Sequence, residues 1–157
     1  MSKKNLNKFI RKMKSVYSGG PWYGDSIQEK LQGITPEMAM ARPIPDAHCI
    51  AEILSHMISW RELLCEHLQG HDEFSVNQKE SFDWRRFDSN PETAWNSLLK
   101  VLEENQQQII TLLEKGDDTL LNQKVSKRIY NYRYLIWGIM QHDIYHLGQI
   151  ALLKKMK

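Results

Sequence analysis

From Glu92 to Lys115 the chain contains neither glycine nor proline. Trp95, Leu98, Leu102, Ile109 and Leu113 recur through this stretch at spacings of four, three and seven, with Leu99 beside them. Strands rarely exceed about ten residues. So long a periodic segment is therefore an amphipathic helix, opened at Ser89-Asn90-Pro91-Glu92 and closed by Gly116. Such a helix cannot bury its apolar stripe alone, which commits the chain to packing helix on helix.

Other segments obey the same rule. Leu6, Phe9, Ile10, Met13, Val16 and Tyr17 make one stripe over 4–17, with lysines opposite, until Gly19-Gly20-Pro21. A short helix is expected at about 25–32, capped by Asp25, with Ile27 and Leu31 on one side. Pro36, Pro43 and Pro45 make 33–45 read as a connector. A second long helix is expected from Asp46 to about Gln69, ended by Gly70, and another from Tyr132 to about Lys155. Residues 117–131 read as irregular. The polar stretch 70–89 carries Phe74, Phe82, Trp84 and Phe87, and a loop this long is expected to cover a cleft. No segment reads as strand. The expectation is an all-α four-helix bundle with long connectors and a short extra helix, formed by residues 1–157 as a single domain.

Charge narrows the partners. Lys3, Lys4, Lys8, Arg11, Lys12 and Lys14 lie at one end and Lys154, Lys155 and Lys157 at the other, with every acidic residue between. A duplex-binding domain wants its basic face on the body, so no nucleic-acid partner is expected. No apolar run approaches a membrane span, and the N-terminal segment does not read as a secretory signal. The basic face of residues 3–14 leaves a membrane-surface helix as the alternative, but no membrane partner is expected. Cys49 and Cys65 lie too far apart on one helix to be bridged. Together these features fit a reduced cytoplasmic protein.

Chemistry concentrates in six histidines. His142 and His146 stand four apart, about 400° around a helix, so both imidazoles point the same way one turn apart. Leu135, Gly138, Ile139, Gln149 and Leu153 share their face, which turns the pair toward the core. His56 shares its face with Cys49, Glu52, Ile53, Trp60, Leu63 and His67. His48 and His71 lie near helix ends, where exposure is expected, and His67 reads as a packed or capping residue. One histidine from one helix and two from another make a three-nitrogen set that zinc, nickel or iron tolerates. The alternative is three buried, hydrogen-bonded histidines without metal. His142-Asp143-Ile144-Tyr145-His146 also approaches the H-E-x-x-H peptidase pattern. Its Asp is one methylene short, and no third ligand follows downstream.

Glu52-Ile53-Leu54-Ser55-His56, with Trp60 a turn later, and Gln141-His142-Asp143-Ile144-Tyr145-His146-Leu147-Gly148-Gln149-Ile150 resemble the two motif segments of the DinB/YfiT-like metalloprotein family. Pro21-Trp22 matches as well, and the resemblance covers nearly the whole chain. It implies a four-helix bundle, often a homodimer, with a metal triad at His56, His142 and His146. Tyr145 departs from the family, where many members carry another histidine. The resemblance also implies thiol-dependent chemistry: S-transfer from a low-molecular-weight thiol cosubstrate to a small-molecule electrophile, on one divalent transition metal, zinc or nickel. Metal-assisted hydrolysis, and a metal-binding or stress-related binding protein without turnover, remain the alternatives. Supporting roles are expected at Glu52, as a hold on a ligand histidine or a water, and at Gln149, on a free imidazole nitrogen. Trp22, Tyr23, Trp60, Trp137 and Tyr145 are candidate pocket walls. Gln106 could line a polar cavity, and Cys49 could offer a thiolate.

Overall fold

The computed structural model describes residues 2–76, 83–87 and 90–156. Among these residues there are six α-helices and no strand: α1 Lys4–Ser18, α2 Ile27–Leu31, α3 Pro36–Met40, α4 Ile50–Leu68, α5 Pro91–Lys115 and α6 Tyr132–Leu153. A short 3-10 turn, Leu120–Asn122, and an isolated bridge between Lys124 and Asn131 punctuate the last connector. The all-α bundle is as expected. Phe82 and Ser89 lie outside the described residues.

Helix starts follow side-chain chemistry. Asn90 Oδ1 accepts the Thr93 N–H at 3.1 Å, with Pro91 in the first turn, and Asn131 Oδ1 accepts the Tyr134 N–H at 3.0 Å. Asp118, remote in sequence, caps α1 by accepting the Asn5 and Leu6 N–H groups at 2.9 and 2.8 Å.

Three local expectations are corrected. Ser26, not Asp25, caps α2, because Glu29 reaches back to the Ser26 N–H at 2.8 Å and closes a capping box. The connector 33–45 is not free of structure. Thr35 caps and Pro36 opens α3, since proline suits a first helical turn as well as a loop. The long helix starts at Ile50, not Asp46: Glu52 accepts the Cys49 N–H at 3.1 Å and fixes the start there.

The apolar core forms two clusters stacked along the bundle. One gathers Ile50, Leu54 and Met57 of α4 with Trp95 and Leu102 of α5 and Leu147 and Ile150 of α6. The other gathers Leu64 of α4 with Ile109 and Leu113 of α5, Ile136 and Ile139 of α6, and Leu6 and Ile10 of α1. Following each helix from one cluster to the other gives its direction. α4 and α5 run one way; α1 and α6 run the other. Neighbours α4 and α5 are parallel, so the chain between Gln69 and Asn90 must return the length of α4, about 28 Å at 1.5 Å per residue. No helix among the described residues is long and apolar enough to cross a membrane.

Candidate metal centre

His56 leaves the middle of α4, and His142 and His146 leave adjacent turns of α6. The bundle brings them together. His142 Nε2 lies 3.0 Å from His56 Nε2 and 3.1 Å from His146 Nε2. The three nitrogens fall within 4.8 Å of one another, a grouping able to hold a metal ion. His56 and His146 are buried and His142 is half-buried.

The outward nitrogens decide the tautomers. His56 Nδ1 sits 2.6 Å from Asp83 Oδ1, and His146 Nδ1 sits 2.6 Å from Gln149 Oε1. A carboxylate and an amide oxygen only accept, so both Nδ1 atoms donate and both Nε2 atoms present lone pairs. His142 Nε2 lies beside both, and its buried Nδ1 has no partner. A single N–H on His142 Nε2 cannot satisfy two lone pairs fully. A cation at the convergence point would satisfy all three, so the donor set fits a divalent transition metal.

Electrostatics keeps these rings neutral. Burial, then the neighbouring His146 and His56, pushes the His142 pKa down to about 3. Burial also lowers His56 against the opposing pull of Asp83, and lowers His146 against the hydrogen bond it donates to Gln149. Neutral imidazole is the form that coordinates.

Aromatic rings wall the site. Trp60 stands edge-on to His56 at 6.3 Å and lies 5.6 Å from His142. Trp84, on the returning connector, stacks flat on His56 at 3.9 Å, and His48 stacks on Trp84 at 3.7 Å. A cleft of about 980 Å³ opens beside this stack, lined by Arg42, His48, Glu52, Asp83, Trp84 and Phe87 among others. An apolar hollow of about 300 Å³, between Ile53, Trp84, Gln149 and Leu152, shares the Trp84 and His48 wall. The cleft borders the histidines rather than containing them; Asp83 and Trp84 stand between.

A family model described as the DinB superfamily matches residues 25–150, a stretch that holds all three histidines. The chain belongs to the DinB superfamily. No curated protein and no solved structure matches it significantly.

Other expected residues of this DinB-superfamily chain divide. Gln149 touches His146, and Trp60 walls the site. Tyr145 is 65% exposed, with its ring 4.9 Å from His146 and its hydroxyl accepting from Gln149 Nε2 at 3.4 Å. Trp22 does not wall a pocket: it is 100% exposed, because the turn after Gly19-Gly20 carries it off the bundle. Trp137 faces outward against Phe9 and Lys12. Glu52 is buried but touches none of His56, His142 and His146. One oxygen takes Arg42, and the other takes the Cys49 N–H and faces His48 Nδ1 at 3.2 Å. Burial works to raise its pKa, and the Arg42 and Cys49 contacts outweigh that and hold it low. Burial pushes the Cys49 thiol up, which disfavours a thiolate ligand. His48 and His71 are exposed, as expected.

Gln106 lines no cavity. It joins a buried polar layer between the two apolar clusters, where Arg61 donates to Asn105 Oδ1 at 3.1 Å, to Asp143 Oδ2 at 2.6 Å and to Gln106 Oε1. Burial raises the Asp143 carboxyl to about 6 against the pull of Arg61. Its salt bridge to Arg61 leaves it no role as a peptidase base. Asp83 and Arg61 were not among the expected site residues, and Trp84 was expected only as part of a loop covering a cleft. Arg61 had a signal: it interrupts the stripe of Met57, Ile58, Leu64 and Cys65 on α4. Asp83 had none beyond lying in a long loop.

Proposed function

We propose that His56, His142 and His146 bind one divalent transition metal, zinc or nickel, and that the protein uses it to join a low-molecular-weight thiol through its sulfur to a small electrophile: the S–H bond gives up its proton, a sulfur–carbon bond forms, and a leaving group departs with its electron pair or an electrophilic double bond takes up the proton. The observation that carries this reading is the convergence of three Nε2 atoms, two of them forced to present lone pairs by Asp83 and Gln149. A metal held there would supply Lewis acidity, favouring the thiolate of a bound thiol near neutral pH. The chain's own residues do the rest. Asp83 and Gln149 orient two ligand rings. Trp60 and Trp84 exclude water from their sides. The adjoining cleft has the volume of a small-molecule site. Its wall of His48 and Trp84 offers flat apolar surface for an electrophile, and Arg42 lies at its rim.

A homodimer is part of the proposal. α6 exposes Tyr134, Trp137, Tyr145 and Leu152 on its outer face, and a Cβ at Gly138 or Gly148 would meet nothing within 4 Å. A second copy could cover that face. Two free, buried thiols suit the reducing cytoplasm.

The test is metal titration of purified protein, then a screen of thiols against electrophiles. His56→Ala, His142→Ala and His146→Ala should each lose metal by an order of magnitude or more, and His48→Ala and His71→Ala should keep it. Retention by all five variants rejects the site. Turnover with water alone favours hydrolysis, and tight metal binding without turnover favours a binding protein. Light scattering at 18.5 kDa across micromolar concentrations rejects the dimer.

A further inference from the structure

Helix α6 carries apolar side chains on both sides. Leu135, Ile136, Ile139, Met140, Leu147 and Ile150 are buried, while Tyr134 is 66% and Leu152 59% exposed. An amphipathic helix finds its orientation by burying its only apolar face, but a helix with apolar residues on opposite sides is less constrained. Turning α6 by one residue is a rotation of about 100°, and sliding it by one turn is about 5.4 Å. Hydrophobic burial alone discriminates poorly among these arrangements, yet the histidine centre needs only one of them.

The polar layer supplies the missing discrimination. Arg61 is 1% exposed and Asp143 0%. One guanidinium on α4 reaches two acceptors on α5, Asn105 and Gln106, and one on α6, Asp143. Arg61 follows His56 by five residues, and Asp143 lies between His142 and His146. Rotating or sliding α6 would withdraw the carboxylate and leave a buried guanidinium without its anion, the costly outcome for such a pair. Replacing both charges with apolar groups, by contrast, is often neutral for stability.

We propose that the buried Arg61–Asp143 pair is a positioning device: it selects the face of α6 that turns inward, and so holds His142 and His146 where they meet His56. The pair touches neither metal nor substrate. Its effect passes through the two helices that carry the ligands, and fixing register is the best-attested use of a buried polar pair. This inference rests on the metal reading of the three histidines.

The experiment titrates the purified full chain with Co²⁺, reading affinity and the visible ligand-field spectrum, beside urea denaturation. Three variants are compared with wild type: Asp143→Asn, the double Arg61→Met/Asp143→Leu, and Leu113→Ala as a control. Leu113 is fully buried in the second cluster, so its truncation destabilises without touching the pair. Asp143→Asn and the double variant should lose at least tenfold in Co²⁺ affinity, with an altered spectrum. Leu113→Ala should keep both within about threefold despite its stability loss. The double variant should denature at or above the midpoint of Asp143→Asn. A double variant that binds Co²⁺ with wild-type affinity and spectrum overturns the proposal. So does an affinity loss in Leu113→Ala as large as in Asp143→Asn. If the double variant does not fold, Asp143→Asn against Leu113→Ala decides alone. Wild-type protein that binds no Co²⁺ would instead reject the metal reading, a result visible before any variant is compared.

Discussion

Three imidazoles held neutral in a metal-free bundle should make the apoprotein lose stability in mild acid. The perturbation is a shift from about pH 8 to about pH 5 after chelator treatment. In the unfolded chain His142 titrates at its ordinary 6.5, but in the folded chain it titrates at about 3. Below 6.5 the unfolded state therefore binds a proton that the native state refuses. The His142 contribution is complete above 6.5 and is lost as pH drops toward 3, by about 1.4 kcal/mol per pH unit. At about pH 5, His142 alone removes about 2 kcal/mol. His56 and His146 are lowered by the same cause and add to the loss. Against a typical net stability of about 5–15 kcal/mol this is a visible fraction. Glu52, held low by Arg42 and the Cys49 N–H, does not yet contribute in this window, but Asp143 opposes the loss: its folded carboxyl, raised by burial to about 6, takes up a proton that the unfolded chain refuses and offsets part of the His142 contribution. The assay is urea denaturation at several pH values, with His142→Gln as the control that should flatten the slope. Because Asp143 opposes the imidazoles, the comparison between proteins decides: a slope between about pH 7.5 and pH 5 that is unchanged in His142→Gln would refute the reasoning.

Asp83→Ala and Gln149→Leu each remove the acceptor that orients one ligand ring, and each should weaken metal binding by about 10- to 100-fold with helicity unchanged; a competing chelator measures this. His67 is buried with both ring nitrogens unpartnered, so His67→Leu should raise the urea midpoint by the equivalent of about 1 kcal/mol. Asn131→Ala removes the cap of the histidine helix and should cost about 1 kcal/mol, a fall of about 2–4 °C in Tm.

Long helices, their stop signals and the face carrying each histidine are legible because they depend on local rules: periodicity, glycine, proline and capping. His56 and His142 are 86 residues apart, yet both are predicted inward because each sits on its own apolar stripe. Starts were misread where a side chain two or three residues inside the helix decides the cap, as Glu29 and Glu52 do. Trp22 was misplaced because its exposure depends on where a turn points, which a single sequence does not encode locally. Asp83 was invisible for a related reason. It lies on a connector, 27 residues after the ring it orients, and no periodicity links them. Arg61 and Asp143 each interrupt an apolar stripe, a signal that went unused, and their pairing across 82 residues follows only from the packing of α4 against α6.

The parallel arrangement of α4 and α5 explains why the unpatterned connector carries so much of the site. An antiparallel pair could be joined by a few residues at one end. A parallel pair forces the chain back along the bundle, and here the returning strand of backbone lays Asp83 and Trp84 against His56. The topological demand thus provides the acceptor for the His56 ring and an aromatic cover for its face. The histidine helix meets the complementary demand. Its inner face supplies Asp143 to the polar layer, and the face a quarter-turn away supplies His142 and His146 to the edge beneath the connector. The site therefore sits at the seam between a face fixed by buried charge and a connector fixed by chain direction. Substitutions on either side of that seam should weaken metal binding while leaving the helical content intact.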